Sequence, residues 1–288
     1  MGATTQGTVL TGHSFSDFLD DPKYFKELLN ESKLLCFPEL GLSREQNKQV
    51  CDALGYWSNR QNDETHALTM NRKNWPNVPE EILVQWHLEN LDQERPPILV
   101  GWNMIKFSCP QGHGRTGFVN MAELHKKVQC DVLFEYVFVR MEKELEQVKE
   151  QMAMGKREFT ITNVDNTEER DAYDLPVSRW PTDLNYHPPI INSVSLHPIT
   201  GEPVLRYMVD THTAWIPIPG VGMEKERDFF DRTLIGAIED PDNQFWWDWS
   251  EGDFLLADLF CMKHCVMGGF TSEQRVLDVV FSTEAVSL

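Results

Sequence analysis

Short runs of apolar residues, separated by turn residues, recur along the chain and predict a mainly β protein with flanking helices. Most of these runs are too short for a stable helix. The predicted strands are Leu34–Phe37, Ile82–Glu89, Ile98–Phe107, Ile190–His197, Val204–Val209, Thr213–Ile216, Phe245–Trp249, Phe254–Phe260, His264–Met267 and Gln274–Ser282. Many short strands with helices beside them are typical of a double-stranded β-helix, or jelly roll, and we predict that fold.

Helical spacing of apolar residues appears first near the N-terminus. It predicts helices over Pro22–Asn30 and Arg44–Leu54. Ser43 is the expected N-cap of the second helix, and Gly55 follows its last turn. These elements are expected to form a helical cap over about residues 1–56.

Two further helical regions are predicted later in the chain. Apolar residues at helical spacing, without proline or glycine up to Met154, predict a long helical insert over about residues 121–156. Another helix is expected over Glu224–Ile238. The stretch Asn71–Pro79, rich in proline and asparagine, is predicted to be a loop and a candidate active-site lid. Because repeats and long linkers are absent from the sequence, residues 1–288 are expected to form a single domain.

The amino-acid composition and net charge limit the classes of protein to which this chain can belong. Of the 288 residues, 41% are hydrophobic and 25% are charged, which is ordinary for a globular protein. The formal net charge of −19 argues against nucleic acid or anionic membrane surfaces as partners, because both require cationic faces. The six cysteines include no Cys-x-x-Cys pair, and no signal peptide or membrane span is apparent. A cytoplasmic location is therefore expected.

The strongest chemical motif is Trp86-His87-Leu88-Glu89, with His264 as its distant complement. Two imidazoles and one carboxylate are the ligand set of a mononuclear non-haem Fe(II) site. Side chains two residues apart on a strand point to the same side, so His87 and Glu89 can reach one ion. Cys265, next to His264, is expected to point away from it.

Other histidines compete with His264 for the third ligand position. They are His187, His197 and His212. His197 belongs to a His-Pro-Ile-Thr-Gly turn and is expected to be structural, and His212 follows it too closely to have the right context. Eleven residues after His264 lies Arg275, whose planar guanidinium suits the carboxylate of a dicarboxylic co-substrate.

The ordered set of motifs resembles the Fe(II)/2-oxoglutarate dioxygenases of the taurine dioxygenase and 2,4-dichlorophenoxyacetate dioxygenase family. The matching segments are Trp86-His87-Leu88-Glu89 with Arg95-Pro96-Pro97, Gly112-His113-Gly114-Arg115-Thr116, His197-Pro198-Ile199-Thr200-Gly201, Trp249-Ser250-Glu251-Gly252-Asp253, and Asp258 to His264 followed by Arg275. The resemblance covers about residues 10–282. It implies iron ligands at His87, Glu89 and His264.

The resemblance also implies the co-substrates and the reaction. Arg275 and Thr116 would bind 2-oxoglutarate, and O₂ would be the second co-substrate. The expected reaction is hydroxylation of an unactivated C–H bond, with release of succinate and CO₂. Because Glu89 fills the carboxylate position that related halogenases leave vacant, chlorination is not expected.

The sequence departs from the family pattern at several positions. A Glu ligand in place of the commoner Asp resembles the clavaminate synthase-like branch, so the expected substrate is a small polar molecule, an amino acid or a derivative. Val279 stands where taurine dioxygenase has a sulfonate-binding Arg, which argues against taurine. The segment Asp258-Leu259-Phe260 replaces Asp-Asn-Arg, which puts the bracing of that strand in doubt. His113-Gly114-Arg115 alters the turn before Thr116.

Other functions stay open at this point. A desaturase or a ring-forming oxidase could use the same iron centre, and a non-catalytic jelly-roll binding protein could keep its pocket. The nine tryptophans are expected to serve core packing or a subunit interface, so a homo-oligomer is also an open alternative.

Overall fold

The computed structural model of the chain describes residues 2–4, 7–58, 67–69, 82–88, 97–128, 135–138, 160–162, 190–206, 213–216, 233–271 and 273–285. Strands are the main elements within these ranges, and short helices flank them. The predicted class, mainly β with flanking helices, is confirmed.

The helices are α1 (Phe15–Asp20), α2 (Pro22–Ser32), α3 (Arg44–Ala53), α4 (Met121–Val128) and α5 (Ile235–Glu239), with a 3₁₀ turn at Pro241–Asn243. The strands are β1 (Gly2–Thr4), β2 (Gly7–Val9), β3 (Leu34–Phe37), β4 (Tyr56–Ser58), β5 (Ala67–Thr69), β6 (Ile82–His87), β7 (Leu99–Phe107), β8 (Thr116–Asn120), β9 (Glu135–Phe138), β10 (Thr160–Thr162), β11 (Ile190–Asn192), β12 (Val194–Leu196), β13 (Pro203–Leu205), β14 (Thr213–Ile216), β15 (Phe245–Trp247), β16 (Phe254–Asp258), β17 (Met262–Met267) and β18 (Arg275–Ala285).

Two sheets carry most of the structure. The larger has the order β1-β2-β3-β16-β7-β18-β4, and β5 also pairs with β18. The smaller has the order β15-β8-β17-β6. Neighbouring strands are antiparallel except for the parallel pair β2 and β3. Outside these sheets, β10-β14-β9-β11 form another sheet, and β12 pairs with β13.

The two main sheets pack face to face through one apolar layer. Alternate residues of the larger sheet, such as Val100, Trp102 and Leu255, meet Phe118 and Met262 of the smaller sheet. This alternation is the period of two that strands impose on side chains. The space between the sheets is therefore where inward-pointing polar residues can form a site.

Helices cover the outer faces of the sheets. Leu99, Phe254 and Val280 of the larger sheet pack against α1, α2 and α3 in one cluster. Trp86 and Val119 of the smaller sheet pack in a second cluster that includes residues of α4 and α5. Each sheet thus has one face towards the interior and one face towards helices.

The predicted N-terminal helices and the N-cap at Ser43 are confirmed. Ser43 accepts a hydrogen bond from the Gln46 backbone N–H, and the Gln46 side chain accepts one from the Ser43 N–H, which is a capping box. Helix α2 ends at Ser32 and is followed by its C-cap Lys33, whose left-handed φ of 64° stops the helix before β3.

The predicted helical insert over 121–156 is wrong in its central part. Helix α4 ends at Val128, and Glu135–Phe138 forms β9, which pairs with both β11 and β14. Tyr136, Val137 and Phe138 are β-favouring residues that find backbone partners far away in the sequence, so tertiary pairing overrides the local helical spacing. Residues 139–156 lie outside the described ranges.

Other boundaries also differ from the predictions. The helix expected over Glu224–Ile238 is described as α5, Ile235–Glu239, after residues that lie outside the described ranges. The strand expected over Ile190–His197 is divided into β11 and β12. The predicted loop Asn71–Pro79 lies outside the described residues. In the described part of the chain, no helix has the length and apolar character needed to cross a membrane.

A buried asparagine joins α3 to the larger sheet. The Asn47 amide donates to the Gly101 carbonyl (3.0 Å) and to a carboxylate oxygen of Asp278 (3.3 Å). Arg44, one turn earlier, pairs with Asp278 at 3.6 Å. A Cβ on Gly101 would overlap the Asn47 side-chain oxygen, so glycine is required there for close packing of helix on strand.

We therefore expect Gly101→Ala to destabilise the protein by about 1–3 kcal/mol, because the buried amide must move and its hydrogen bonds weaken. Gly236→Ala is the matched control, since Gly236 lies in α5 with open space around it. The control should be neutral or stabilising by at most about 1 kcal/mol. Urea unfolding measures both changes. A G101A variant as stable as the wild type would contradict the close packing of α3.

Candidate active site

Two histidines meet on the inner face of the smaller sheet. His87 on β6 and His264 on β17 are direct cross-strand partners. Their ring centroids lie 4.1 Å apart. Nitrogen ligands bind a transition metal at about 2 Å, so two imidazoles that share an ion must converge to this kind of separation. The predicted convergence of these two residues is present.

Aromatic side chains surround the His264 ring, which is only 4% exposed. The ring of Trp102 from β7 contacts it edge-on, with centroids 5.1 Å apart. Phe118 is the β8 residue opposite His264, and the centroids of their rings are 6.5 Å apart. The histidine pair is therefore set in an apolar wall that limits access of water on this side.

The neighbours of the two histidines point the other way. Trp86, Leu88 and Cys265 belong to the apolar cluster on the outer face of the smaller sheet. Burial raises the pKa of the Cys265 thiol to about 12. The prediction that Cys265 packs away from His264 is confirmed, while Glu89 lies outside the described residues.

Arg275 forms a second polar feature between the sheets. It is only 3% exposed. Its Nε donates to the Gly114 carbonyl (3.0 Å), and its Nη2 donates to the Thr116 hydroxyl (3.1 Å). The ring centres of Trp249 and Phe270 lie 5.8 and 5.6 Å from the central guanidinium carbon. The sequence prediction that Arg275 and Thr116 come together is therefore met in the structure.

The charge of Arg275 has no protein carboxylate beside it among the described residues. Burial lowers the pKa of its guanidinium to about 10, so the group stays cationic at neutral pH. A buried charge is costly unless an opposite charge compensates it. The position is therefore suited to binding an anionic ligand.

The turn before Thr116 departs from the family pattern but keeps Gly114, the residue that the close contact with Arg275 requires. Gly114 has a φ of 67°, and a Cβ there would lie 2.8 Å from the Cys109 sulfur and 3.4 Å from Cδ of Arg275. Only glycine combines that backbone conformation with so close an approach. The doubt raised by His113-Gly114-Arg115 therefore does not extend to the contact between Gly114 and Arg275.

The register of the sheet relates the two features. Phe118 pairs with His264, and Thr116, two residues earlier on β8, pairs with Val266. Two strand positions span about 7 Å, and residues 116 and 118 point to the same face. Thr116 and His264 are thus separated by a distance comparable to the length of a five-carbon dicarboxylic acid.

The sequence reasoning missed two residues at this site. The indole N–H of Trp249 donates to the Thr116 hydroxyl at 2.8 Å. Trp102 lies against His264 and pairs in register with Val279. Trp249 belonged to a recognised motif, but nothing in the motif indicated its partner. The position of Trp102 follows from strand pairing, which local sequence does not specify.

His197 makes the contacts that a structural residue of its turn would make. Its Nδ1 accepts hydrogen bonds from the backbone N–H groups of Ile199 and Thr200, and its Nε2 lies 2.9 Å from a carboxylate oxygen of Asp258. The other Asp258 oxygen accepts from the N–H groups of Phe260 and Cys261. These contacts hold the turn that leads into β17.

The doubt about bracing at Asp258-Leu259-Phe260 is answered by a residue from another strand. Arg206, which directly follows β13, donates to the Phe260 carbonyl at 2.9 Å. Its guanidinium also lies 3.9 Å from the centre of the Phe260 ring. An arginine from elsewhere in the chain therefore braces the segment in which the motif lacks one.

These features define a β-rich protein with a histidine pair suited to a metal ion and a buried cation suited to a carboxylate. A sequence model of the family "Taurine catabolism dioxygenase TauD, TfdA family" matches residues 3–281, and the chain belongs to this family. The protein is therefore a 2-oxoglutarate-dependent dioxygenase, an oxidoreductase of a family that uses Fe(II), 2-oxoglutarate and O₂. A search of curated proteins gives no match by sequence.

Solved structures share the fold. The structure of AAD-2 in complex with Mn(II) and N-oxalylglycine matches with a TM-score of 0.61 and 15% identity, covering 99% of this chain and 97% of that one. A taurine dioxygenase from Burkholderia xenovorans matches with a TM-score of 0.60 and 16% identity, covering 96% and 87%. These identities are low, so the similarity concerns the fold.

Of the described cysteines, Cys109 alone is partly exposed, and its sulfur lies beside Gly114, whose carbonyl accepts a hydrogen bond from Arg275. Burial raises the pKa of its thiol to about 11, although the charge of Arg275 acts in the opposite direction. Because only the thiolate reacts, alkylation by iodoacetamide should be slow at pH 7 and should accelerate about tenfold per pH unit up to pH 10.

Peptide mass spectrometry at Cys109 measures the alkylation rate. Reduced glutathione serves as the reference, since the reactivity of an ordinary thiol rises to about one pH unit above its pKa of about 8.5 and then levels off. A Cys109 rate that levels off at the same pH as the reference would contradict the raised pKa.

Proposed function

We propose that His87, Glu89 and His264 bind the catalytic Fe(II). The observation that supports this assignment is the 4.1 Å separation of the two imidazole rings on neighbouring strands. Trp86 and Leu88 point outward, and the His87 ring points inward to His264. We include Glu89 in the ligand set because side chains two residues apart on an extended chain face the same side. The set of donors, two imidazoles and one carboxylate, fits a ferrous ion.

When bound, the iron supplies O₂ activation coupled to the oxidative decarboxylation of 2-oxoglutarate. The protein's own residues position and protect this chemistry. Trp102 and Phe118 exclude water from one side of His264. Position 279 carries Val279, which lies in the same apolar layer as Trp102 and provides no cation for a sulfonate.

We assign the distal carboxylate of 2-oxoglutarate to Arg275 and Thr116. The buried Arg275 guanidinium, which has no neighbouring carboxylate among the described residues, supports this assignment. The spacing of Thr116 from the histidine pair along β8 supports it as well. The two facing sheets are inferred to close as a double-stranded β-helix, with residues 1–288 as one domain and the site in its mouth.

For the substrate we propose a small polar molecule, an amino acid or a derivative, that is hydroxylated at an unactivated C–H bond with release of succinate and CO₂. The Glu ligand at position 89 and Val279 at the sulfonate-binding position support this class over taurine. Desaturation or ring formation at the same centre is the second candidate. The non-catalytic alternative is set aside because the chain belongs to a family of enzymes.

Replacing either histidine should remove metal binding. We expect His87→Ala and His264→Ala to lower Mn(II) affinity by at least about 100-fold, since each removes one of three protein ligands. Succinate formation with Fe(II), ascorbate and 2-oxoglutarate should fall to background in both variants. His125→Ala, at a partly exposed position in the last turn of α4, is the control and should leave both measurements unchanged. Wild-type metal affinity in both histidine variants would refute the assignment.

Stimulated turnover identifies the substrate class. Amino acids and their derivatives, tested one at a time, should include compounds that increase succinate release above the substrate-free rate. Mass spectrometry of the product then separates the reactions, because hydroxylation adds one oxygen atom and desaturation or cyclisation removes two hydrogens. If taurine stimulates turnover and no amino-acid derivative does, the proposed substrate class is wrong.

A further inference from the structure

Thr116 receives hydrogen bonds from two directions. Trp249 Nε1 donates to its hydroxyl oxygen at 2.8 Å, and Arg275 Nη2 donates to the same oxygen at 3.1 Å. All three residues are buried. Indole N–H and guanidinium groups are donors only, so neither can accept a hydrogen bond in return.

The hydrogen-bonding capacity of a hydroxyl then fixes its remaining role. A hydroxyl oxygen has two acceptor sites and one proton to donate. With both acceptor sites used by N–H donors, Thr116 can make a third hydrogen bond only by donating its proton. No described residue accepts that proton. The hydroxyl is therefore available as a donor to a ligand.

We propose that Trp249 is a positioning residue that orients the Thr116 hydroxyl as a donor, and that the site therefore selects a carboxylate over a neutral amide. This inference rests on the proposed role of Arg275 and Thr116 in binding 2-oxoglutarate. Arg275 uses its Nε–H and one Nη2–H on Gly114 and Thr116, which leaves further N–H groups for the ligand. Among the described residues, Arg275 and Thr116 thus present only donors to the ligand.

A donor-only site distinguishes ligands by their acceptors. Both oxygens of a carboxylate can accept, and the negative charge compensates the buried guanidinium. The distal amide of a 2-oxoglutarate analogue would direct N–H groups against other donors, which leaves buried groups unpaired. The charge of Arg275 contributes to this preference in every variant that keeps the guanidinium, and the orientation of Thr116 sets the remaining part. A general loss of packing would weaken both ligands alike.

The test is calorimetric titration of the Mn(II)-loaded protein with N-oxalylglycine and with its distal amide analogue. Trp249→Phe keeps an aromatic ring beside Arg275 but removes the N–H, and Thr116→Val removes the hydroxyl. We expect each variant to bind N-oxalylglycine roughly five- to twentyfold more weakly and to show a correspondingly smaller preference over the amide, with the part due to Arg275 retained. Trp246→Phe is the matched control, since its indole donates to the Gln244 side chain, and it should behave as wild type.

The double variant tests whether Trp249 acts through Thr116. If it does, Trp249→Phe should cause no further loss in the Thr116→Val background. Wild-type affinity in the Trp249→Phe variant, or equal additional weakening in the double variant, would overturn the proposal.

A second pair of variants covers the case in which Trp249→Phe does not fold, as judged by thermal unfolding. Thr116→Ser keeps the hydroxyl and should keep the full carboxylate preference, while Thr116→Val should reduce it. Equal preferences in these two variants would overturn the proposal. Failure of the underlying function is distinguishable, because the wild-type protein itself would then not bind N-oxalylglycine.

Discussion

The register between β6, β17 and β8 is the constraint on which the site depends. It sets His87 directly across from His264 and places Phe118 on the other side of that histidine. Because side chains alternate along a strand, a shift of one residue would turn the His264 side chain into the outer apolar cluster and Cys265 into the interior. The outward burial of Trp86, Leu88 and Cys265 opposes such a shift, so packing on the outer face maintains the geometry of the inner face.

A buried cation forms the second constraint. Arg275 is tolerated between the sheets because its N–H groups reach Gly114 and Thr116 and because Trp249 and Phe270 flank its charge. These contacts satisfy part of the guanidinium and leave its net charge uncompensated by any described carboxylate. Such a group is stabilised further when an anion binds, so the same feature that costs folding free energy favours ligand binding.

Bracing of the β17 end of the site comes from residues distant in sequence. Asp258 connects the His197 turn to the backbone just before β17, and Arg206 fixes the Phe260 carbonyl. The motif resemblance located Asp258 and His197 but indicated a missing arginine at position 260. The structure replaces that arginine from beyond β13, because a guanidinium needs only to reach the carbonyl in space.

The sequence by itself determined the local elements and the identities of the candidate residues. Capping at Ser43, strand periodicity around His87 and His264, and the distance from His264 to Arg275 are short-range features, since each depends on neighbouring residues or fixed spacing. Tertiary structure alone decided which strands pair. Pairing with distant strands makes Glu135–Phe138 a strand. It also places the Trp102 ring against His264 and the Trp249 indole N–H within hydrogen-bonding distance of the Thr116 hydroxyl. Those outcomes depend on contacts between residues far apart in the chain, and the free energy of such contacts is not encoded in any local pattern.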